Sequence, residues 1–208
     1  MKTLRLILGD QLNHQHSWFE KTDSEISYVL MEVRQETDYV PHHIQKVAGF
    51  FASMRAFANE MQEKGHDIIY WKLDDTKNKQ SIPENINSLI EKGDYEKFEY
   101  QLPDEYRLDE QLNEYCQTLN IEWQAVDSEH FYTTREELAS FFEGKKTYLM
   151  ESFYRHMRKK HDVMMDGKDP VTGQWNYDKD NRKKLPDSVT IPERNSRTND
   201  VSEIVEMI

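Results

Sequence analysis

The stretch LRLILGDQL, residues 4–12, decides the architecture. Leu4–Leu8 reads as a buried strand, apolar except for Arg5 near its start, as expected of a parallel strand covered on both faces. Gly9 lets the backbone turn where the strand ends. Asp10 and Gln11 then place polar groups just beyond the carboxyl end of that strand. In an open α/β sheet this edge is where ligands sit. Asp10 therefore has two readings: the floor of a pocket together with Gly9, or the cap of a following helix.

The same alternation recurs downstream. Tyr28–Val33 (YVLMEV), Asp67–Leu73, Phe98–Leu102 and Ile121–Val126 read as four more strands. Glu32 is the odd residue, a carboxylate at the carboxyl end of an apolar run. Pro41 is expected in the first turn of a long helix, where its missing N–H costs nothing. An apolar stripe from Val47 through Phe50, Phe51 and Met54 to Met61 marks that helix, and Gly65 its stop. Pro83–Ile90, stopped by Gly93, and Glu105–Leu119 make two more helices. Five strands with crossover helices predict an α/β fold with a five-stranded parallel sheet, Rossmann-like or flavodoxin-like.

This domain occupies residues 1–130. Residues 131–185 follow as a helical and loop extension, with helices expected at Thr134–Phe142 and Tyr148–Lys160. Residues 186–208 read as an interdomain linker and the start of a further domain. Val201, Ile204, Val205 and Ile208 begin an apolar helical face there, and the first three are expected to be uncovered.

The net charge of −12 argues against nucleic-acid binding by the 208 residues as a whole. One segment departs from this: Gly144–His161 carries six Lys and Arg against the single acid Glu151. It is read as an interface with another domain first and a DNA contact second. The single cysteine, Cys116, excludes an intramolecular disulfide and suits a reducing cytoplasm. The N-terminal apolar run is too short for a signal peptide and meets Asp10 at once. No stretch approaches the ~20 apolar residues of a membrane span.

No G-x-G-x-x-G or P-loop follows the first strand, and no nucleophile–base pair is visible, so no catalytic residue is assigned. His42 and His43 make a poor chelate, because neighbours on a helix point about 100° apart. One is expected to frame the pocket and the other to be solvated. Asp74, Asp75 and Asn78 offer three oxygen side chains in a loop, which suits a weak divalent-cation site or, more commonly, a turn. No metal site is assigned.

Several motifs occur in one register: GDQL after the first strand, E-V-x-x-E-x-x-Y-V-x-H-H from Glu32, K-V-A-x-x-F from Lys46, and A-x-M-R-x-F-A from Ala52. L-D-D-x-x-N from Leu73, P-x-E-Y-R from Pro103, M-E-x-F-Y-R-x-M-R from Met150 and W-N-x-D-x-x-N-R from Trp175 continue the series. Together they resemble the photolyase-related proteins, the branch of iron–sulfur bacterial cryptochromes and (6-4) photolyases. The resemblance runs from about Leu4 to Arg182.

The resemblance implies the N-terminal α/β domain of a two-domain flavoprotein. Such a domain holds an antenna chromophore, 6,7-dimethyl-8-ribityllumazine in this branch. A helical C-terminal domain, absent from these residues, would hold FAD and a four-cysteine [4Fe–4S] cluster and act on UV-damaged DNA. The alternative is a structural or interaction domain of a blue-light photoreceptor with no antenna bound. Gly9, Asp10, Glu32, Glu36, Tyr39 and Phe50 are the residues expected at the antenna pocket. Glu32 has a second reading, an ion pair with Arg34 or Lys46. Phe50 stands where the family can place a smaller aliphatic residue, so it either stacks on the ring or fills its space.

Overall fold

The computed structural model describes residues 1–179, 181–196 and 198–208. Position 180, inside the Trp175–Arg182 motif, and position 197, inside the expected linker, lie outside the described residues. Two compact units result: Met1–His130 with Asn199–Ile208, and Phe131–Thr198.

The first unit is built on strands β1 (Thr3–Leu6), β2 (Ile26–Met31), β3 (Asp67–Trp71), β4 (Lys97–Gln101) and β5 (Glu122–Val126). They form one sheet in the order β3-β2-β1-β4-β5, and every pairing is parallel. The run at residues 4–8 supplies the central strand, β1, paired on both edges, and the helices packed over its two faces are why it must be apolar on both. Leu4 pairs with Ser27 on one side and Phe98 on the other. Its one charge, Arg5, is neutralised by Glu99 on β4 at 2.7 Å and lies 4.7 Å from the centre of the Trp18 ring.

Alternation along the strands feeds two cores. Leu4, Leu6 and Val29 face helices α3 (Ile82–Gly93) and α4 (Tyr106–Cys116), meeting Ile86, Leu108 and Leu112. Ile7, Tyr28 and Leu30 face α2 (Ile44–Glu63), meeting Phe51, Met54 and Phe57. Each such side chain, when fully buried, stabilises the fold by roughly 1.5–3 kcal/mol.

Two expectations are corrected. Pro41 lies in a turn ahead of α2, and the helix is capped instead by His43, whose Nδ1 accepts from the Gln45 amide at 3.1 Å. Helix α3 ends at Gly93 as expected, and Asp94 takes the left-handed conformation just beyond it, with φ 52°. Gly93 is small because a Cβ there would meet the Tyr95 ring at 2.3 Å. Finally, Ile204 is not uncovered. Helix α7 (Ser202–Met207) packs on α2, burying Ile204, while Glu203 pairs with Lys72 at 2.5 Å and Arg55 at 3.4 Å. Val205 remains exposed.

The second unit contains α5 (Arg135–Phe142), α6 (Met150–Lys160) and a small antiparallel hairpin of β6 (Met165–Asp166) and β7 (Asp169–Pro170). Phe141, Phe142 and Phe153 pack ring against ring between the two helices. No helix among the described residues is long and apolar enough to cross a membrane.

Candidate ligand-binding site

The order of the strands creates the site. From β1 the chain moves to β2 and β3 on one side, and then crosses to β4 on the other. The loops leaving β1 and β4 diverge at the carboxyl edge and open a crevice between them. A cavity of ≈ 210 Å³ lies there. Its inner wall is apolar, with Leu6, Met31, Val33, Phe51, Met54 and Leu108. Its rim is polar, with Asp10, Glu36, Tyr39, His42, Lys46 and Arg107.

Of the six residues expected at the pocket, Gly9, Asp10, Glu36, Tyr39 and Phe50 line this cavity. Gly9 serves it by close approach rather than by a special turn. A Cβ on Gly9 would stand 3.0 Å from Met54 Sδ and 3.5 Å from Phe50 Cδ1. Phe50 leaves the apolar stripe of α2: it is 42% exposed while Phe51 beside it is buried.

Asp10 sits at the mouth. Partial desolvation raises its carboxyl above the ordinary aspartate range, with smaller contributions from Asp104 and Glu36; its own backbone amide and His130 oppose this. His130 in turn pairs with Asp104 at 2.8 Å.

Glu36 belongs to the short helix α1 (Arg34–Thr37) and is held by a two-point ion pair from α4. Arg107 Nη2 donates to Glu36 Oε2 at 2.8 Å, and Nη1 to Oε1 at 3.2 Å. The guanidinium carbon lies 4.3 Å from the centre of the Tyr39 ring. Gln35 reinforces the clasp through Gln111 at 2.7 Å and the Ile82 amide at 2.9 Å. Arg107 is thus a site residue that sequence reasoning missed. It stood in the P-x-E-Y-R motif, but its partner lies 71 positions away. Glu105 of the same motif caps α4, accepting from the Arg107 and Leu108 amides.

Glu32 is the corrected member. It does not line the cavity; its side chain is wholly buried and accepts four hydrogen bonds. Arg55 Nε and Nη2 donate at 2.7 and 3.1 Å, the Tyr70 hydroxyl at 2.7 Å and the Leu73 amide at 2.9 Å. Its ion pair is therefore with Arg55, rather than with Arg34 or Lys46. Burial and the neighbouring Glu32 carboxylate push the Tyr70 hydroxyl far above its ordinary value. The carboxylate ties β2, β3 and α2 together below the site.

The 74–78 loop is likewise structural. Asp75 accepts from the Lys72 amide at 2.8 Å, and Asn78 donates to the Glu32 and Lys72 carbonyls at 2.6 and 2.9 Å. No group of metal-ligating side chains of the required kind occurs among the described residues. His42 frames the cavity, with its Nδ1 at 3.1 Å from Lys46 Nζ, while His43 is the helix cap.

In the second unit, the expected basic face of α6 is partly consumed. Arg158 is buried and donates to the carbonyls of Val163, Met164 and Trp175 at 3.0, 2.6 and 3.3 Å. It organises the hairpin and the Trp175 loop instead of facing solvent. Arg155 pairs with Glu151, and Lys160 with Glu137. Arg155 and Lys159 also lie 5.1 and 5.3 Å from the centre of the Trp175 ring.

A doubly covered parallel sheet of order 3-2-1-4-5, with its crevice at the point where the order reverses, places the first unit among the Rossmann-like α/β domains. The chain belongs to the deoxyribodipyrimidine photolyase-related protein family, whose model matches residues 5–208. It is 33% identical over 183 residues to a (6-4) photolyase of Agrobacterium fabrum, a match covering 88% of this chain and 36% of that protein. It is 26% identical over 199 residues to the uncharacterized protein R852 of Acanthamoeba polyphaga mimivirus, covering 92% of this chain and 99% of that one. The chain thus spans about a third of the (6-4) photolyase and nearly all of the viral protein.

Proposed function

We propose that the first unit is the antenna-chromophore-binding domain of a light-dependent DNA photolyase or cryptochrome, and that its cavity takes 6,7-dimethyl-8-ribityllumazine. The observation that carries this is the cavity at the switch point, apolar within and ringed by carboxylates, an arginine and a tyrosine. Bound there, such a group would supply light absorption and excitation transfer, which break no bond. The site accordingly needs shape, an apolar wall and a few polar anchors rather than acid–base groups. Asp10 and Glu36 offer acceptors to hydroxyls and ring N–H groups, and Tyr39 with Arg107 closes one side.

FAD and the [4Fe–4S] cluster belong, in this reading, to polypeptide outside these 208 residues. A cluster needs four thiolates. This chain has one cysteine, Cys116, buried, with its thiol pushed up to about 12 by desolvation. The partners are then a FAD-binding domain and, through it, UV-damaged DNA. The second reading, a photoreceptor interaction domain with Phe50 packing the pocket shut, has less support: the cavity stays open at ≈ 210 Å³ with Phe50 in its wall.

The test is titration with 6,7-dimethyl-8-ribityllumazine followed by fluorescence anisotropy. Saturable binding at micromolar levels, lost in Asp10→Ala/Glu36→Ala, is expected. No binding by a chain that melts cooperatively, with binding gained in Phe50→Ala, would establish the closed-pocket reading instead.

A further inference from the structure

We propose that the second unit carries a pocket of its own, in which an unpaired nucleobase of single-stranded DNA stacks among Tyr154, Trp175 and Tyr177. The choice of DNA rests on the reading above. The pocket shares no residue with the antenna cavity.

Charge is divided unevenly between the two units. Residues 131–198 hold 14 Lys and Arg against 11 Asp and Glu, a net +3, whereas the first unit holds 13 against 28, a net −15. The acidity that argues against nucleic acid for the whole chain therefore belongs to the first unit. A net-positive unit with exposed aromatic side chains has the composition of a strand-binding surface.

Two stretches singled out in the sequence meet at the pocket. Glu151, Tyr154 and Arg158 come from α6, and Trp175, Asn176 and Asp178 from the loop after the hairpin. The pocket measures ≈ 390 Å³, within the roughly 300–1,000 Å³ usual for ligand sites. Its three aromatic residues are tethered. Arg158 Nη1 donates to the Tyr154 hydroxyl and to the Trp175 carbonyl, each at 3.3 Å, and the Tyr177 hydroxyl is hydrogen-bonded to that of Thr172. Rings held in this way are platforms on which any base can stack, because every base has a π-face. Met164 and Val171 add apolar wall, and Gln174 and Asn176 bring amides that match the donor and acceptor edges of a base.

Aromatic walls with two acids, Glu151 and Asp178, also suit a cation. The cations already present decide against one. Arg155, Arg158 and Lys159 stand 5.1, 5.4 and 5.3 Å from the centre of the Trp175 ring, and Arg155 engages Glu151 at 2.9 Å. A further cation meets three like charges there, whereas a nucleotide brings a neutral ring and an anion. Arg155 and Lys159, both exposed, serve the phosphate.

The experiment titrates the 208-residue chain at low ionic strength with a fluorescein-labelled oligothymidylate of about 12 nucleotides, an abasic oligomer of equal length and charge, and the matching oligouridylate. Anisotropy is expected to show saturable binding of oligothymidylate, about tenfold tighter than that of the abasic oligomer, the effect of stacking one base. Trp175→Ala, which keeps the carbonyl that Arg158 bonds, is expected to remove this preference while leaving lumazine binding unchanged. Tyr177→Leu is expected to reduce it. Lys159→Gln is expected to weaken both deoxyribose oligomers equally and to make the slope of log affinity against log salt shallower by about 0.7, as for one phosphate contact.

Equal affinity for oligothymidylate and the abasic oligomer, or a preference that survives both ring substitutions, overturns the base pocket. Tighter binding of oligouridylate overturns DNA as the source of the base, and tighter binding of a trimethyllysine peptide overturns the base itself. Lumazine binding by a chain that does not bind oligothymidylate overturns this inference alone; the reverse result overturns only the antenna reading.

Discussion

Arg55→Met removes the counterion of a carboxylate that has no access to water. Glu32 is 0% exposed and Arg55 is 15% exposed. The substitution deletes the 2.7 and 3.1 Å donors and leaves Glu32 with the Tyr70 hydroxyl and the Leu73 amide. Two neutral donors cannot replace a guanidinium beside a fully desolvated charge. Breaking a buried pair from one side costs about 3–5 kcal/mol. For a chain of this size that lowers Tm by roughly 6–20 °C. The double variant Glu32→Gln/Arg55→Met removes both charges, and the Gln carbonyl still accepts from Tyr70 or Leu73. It is expected to be more stable than Arg55→Met alone by at least about 1 kcal/mol, within the usual range of coupling between contacting residues. Urea unfolding followed by far-UV circular dichroism measures the wild type, Arg55→Met, Glu32→Gln and the double variant. A loss below about 1 kcal/mol in Arg55→Met, or a double variant equal to the sum of the singles, would refute the view that a desolvated charge anchors β2 to α2.

Asp10→Asn tests the desolvated carboxyl at the cavity mouth. Because the folded-state pKa is raised, ionisation of Asp10 destabilises the fold above that pKa. The variant should therefore be the more stable at pH 7. The difference should vanish below the ordinary aspartate value, where the wild-type carboxyl is protonated in both states; urea melts across pH 3–7 read this directly. Cys116, buried and with its thiol at about 12, should resist iodoacetamide at pH 8 in the native chain and react promptly in urea. Fast native alkylation, followed by mass spectrometry, would contradict its burial. Arg158→Ala removes a charged donor from three carbonyls, so the hairpin of the second unit should loosen. Exchange of the Val171 amide, which donates to the Met164 carbonyl at 3.0 Å, should accelerate by about tenfold or more, since a hydrogen bond to a charged group is worth roughly 1.5–3 kcal/mol.

Much of the fold was legible because its signals are local. The apolar run at residues 4–8 must be covered on both faces, and it became the central strand. The α2 stripe buried Val47, Phe51, Met54 and Met61 as its spacing required. The start of α2 was misread because Pro41 is a general helix-start signal, whereas the cap in use is a histidine side chain. The stop of α3 at Gly93 was legible, but its reason was not: the glycine makes room for Tyr95, while Asp94 takes the left-handed turn.

At the site, residues close to the strand ends were within reach of sequence reasoning, since the parallel sheet brings the ends of β1 and β2 to one edge. Gly9 and Asp10 follow from that, whereas Glu36 and Tyr39 were singled out with the help of the family resemblance; all four line the cavity. Glu32 does not, because its position places it at the edge without saying which way it points. Only the approach of Arg55, Tyr70 and the Leu73 amide turned it inward, into a structural network. Nor could the sequence separate Phe50 from Phe51. Both fit an apolar stripe and both line the cavity, but the helix's rotation against the sheet buried Phe51 at the inner wall and left Phe50 exposed at the rim.

The sequence by itself determined the class of fold, the order of its elements and the family, since each rests on patterns repeated along the chain and read at short range. Tertiary structure alone decided the cavity, the Arg107–Glu36 clasp and the folding back of α7 onto α2. The clasp and the α7 packing join residues 71 or more positions apart. A pairwise contact at such separation leaves no periodicity in the sequence, and its energy is realised only after the sheet has brought the partners together.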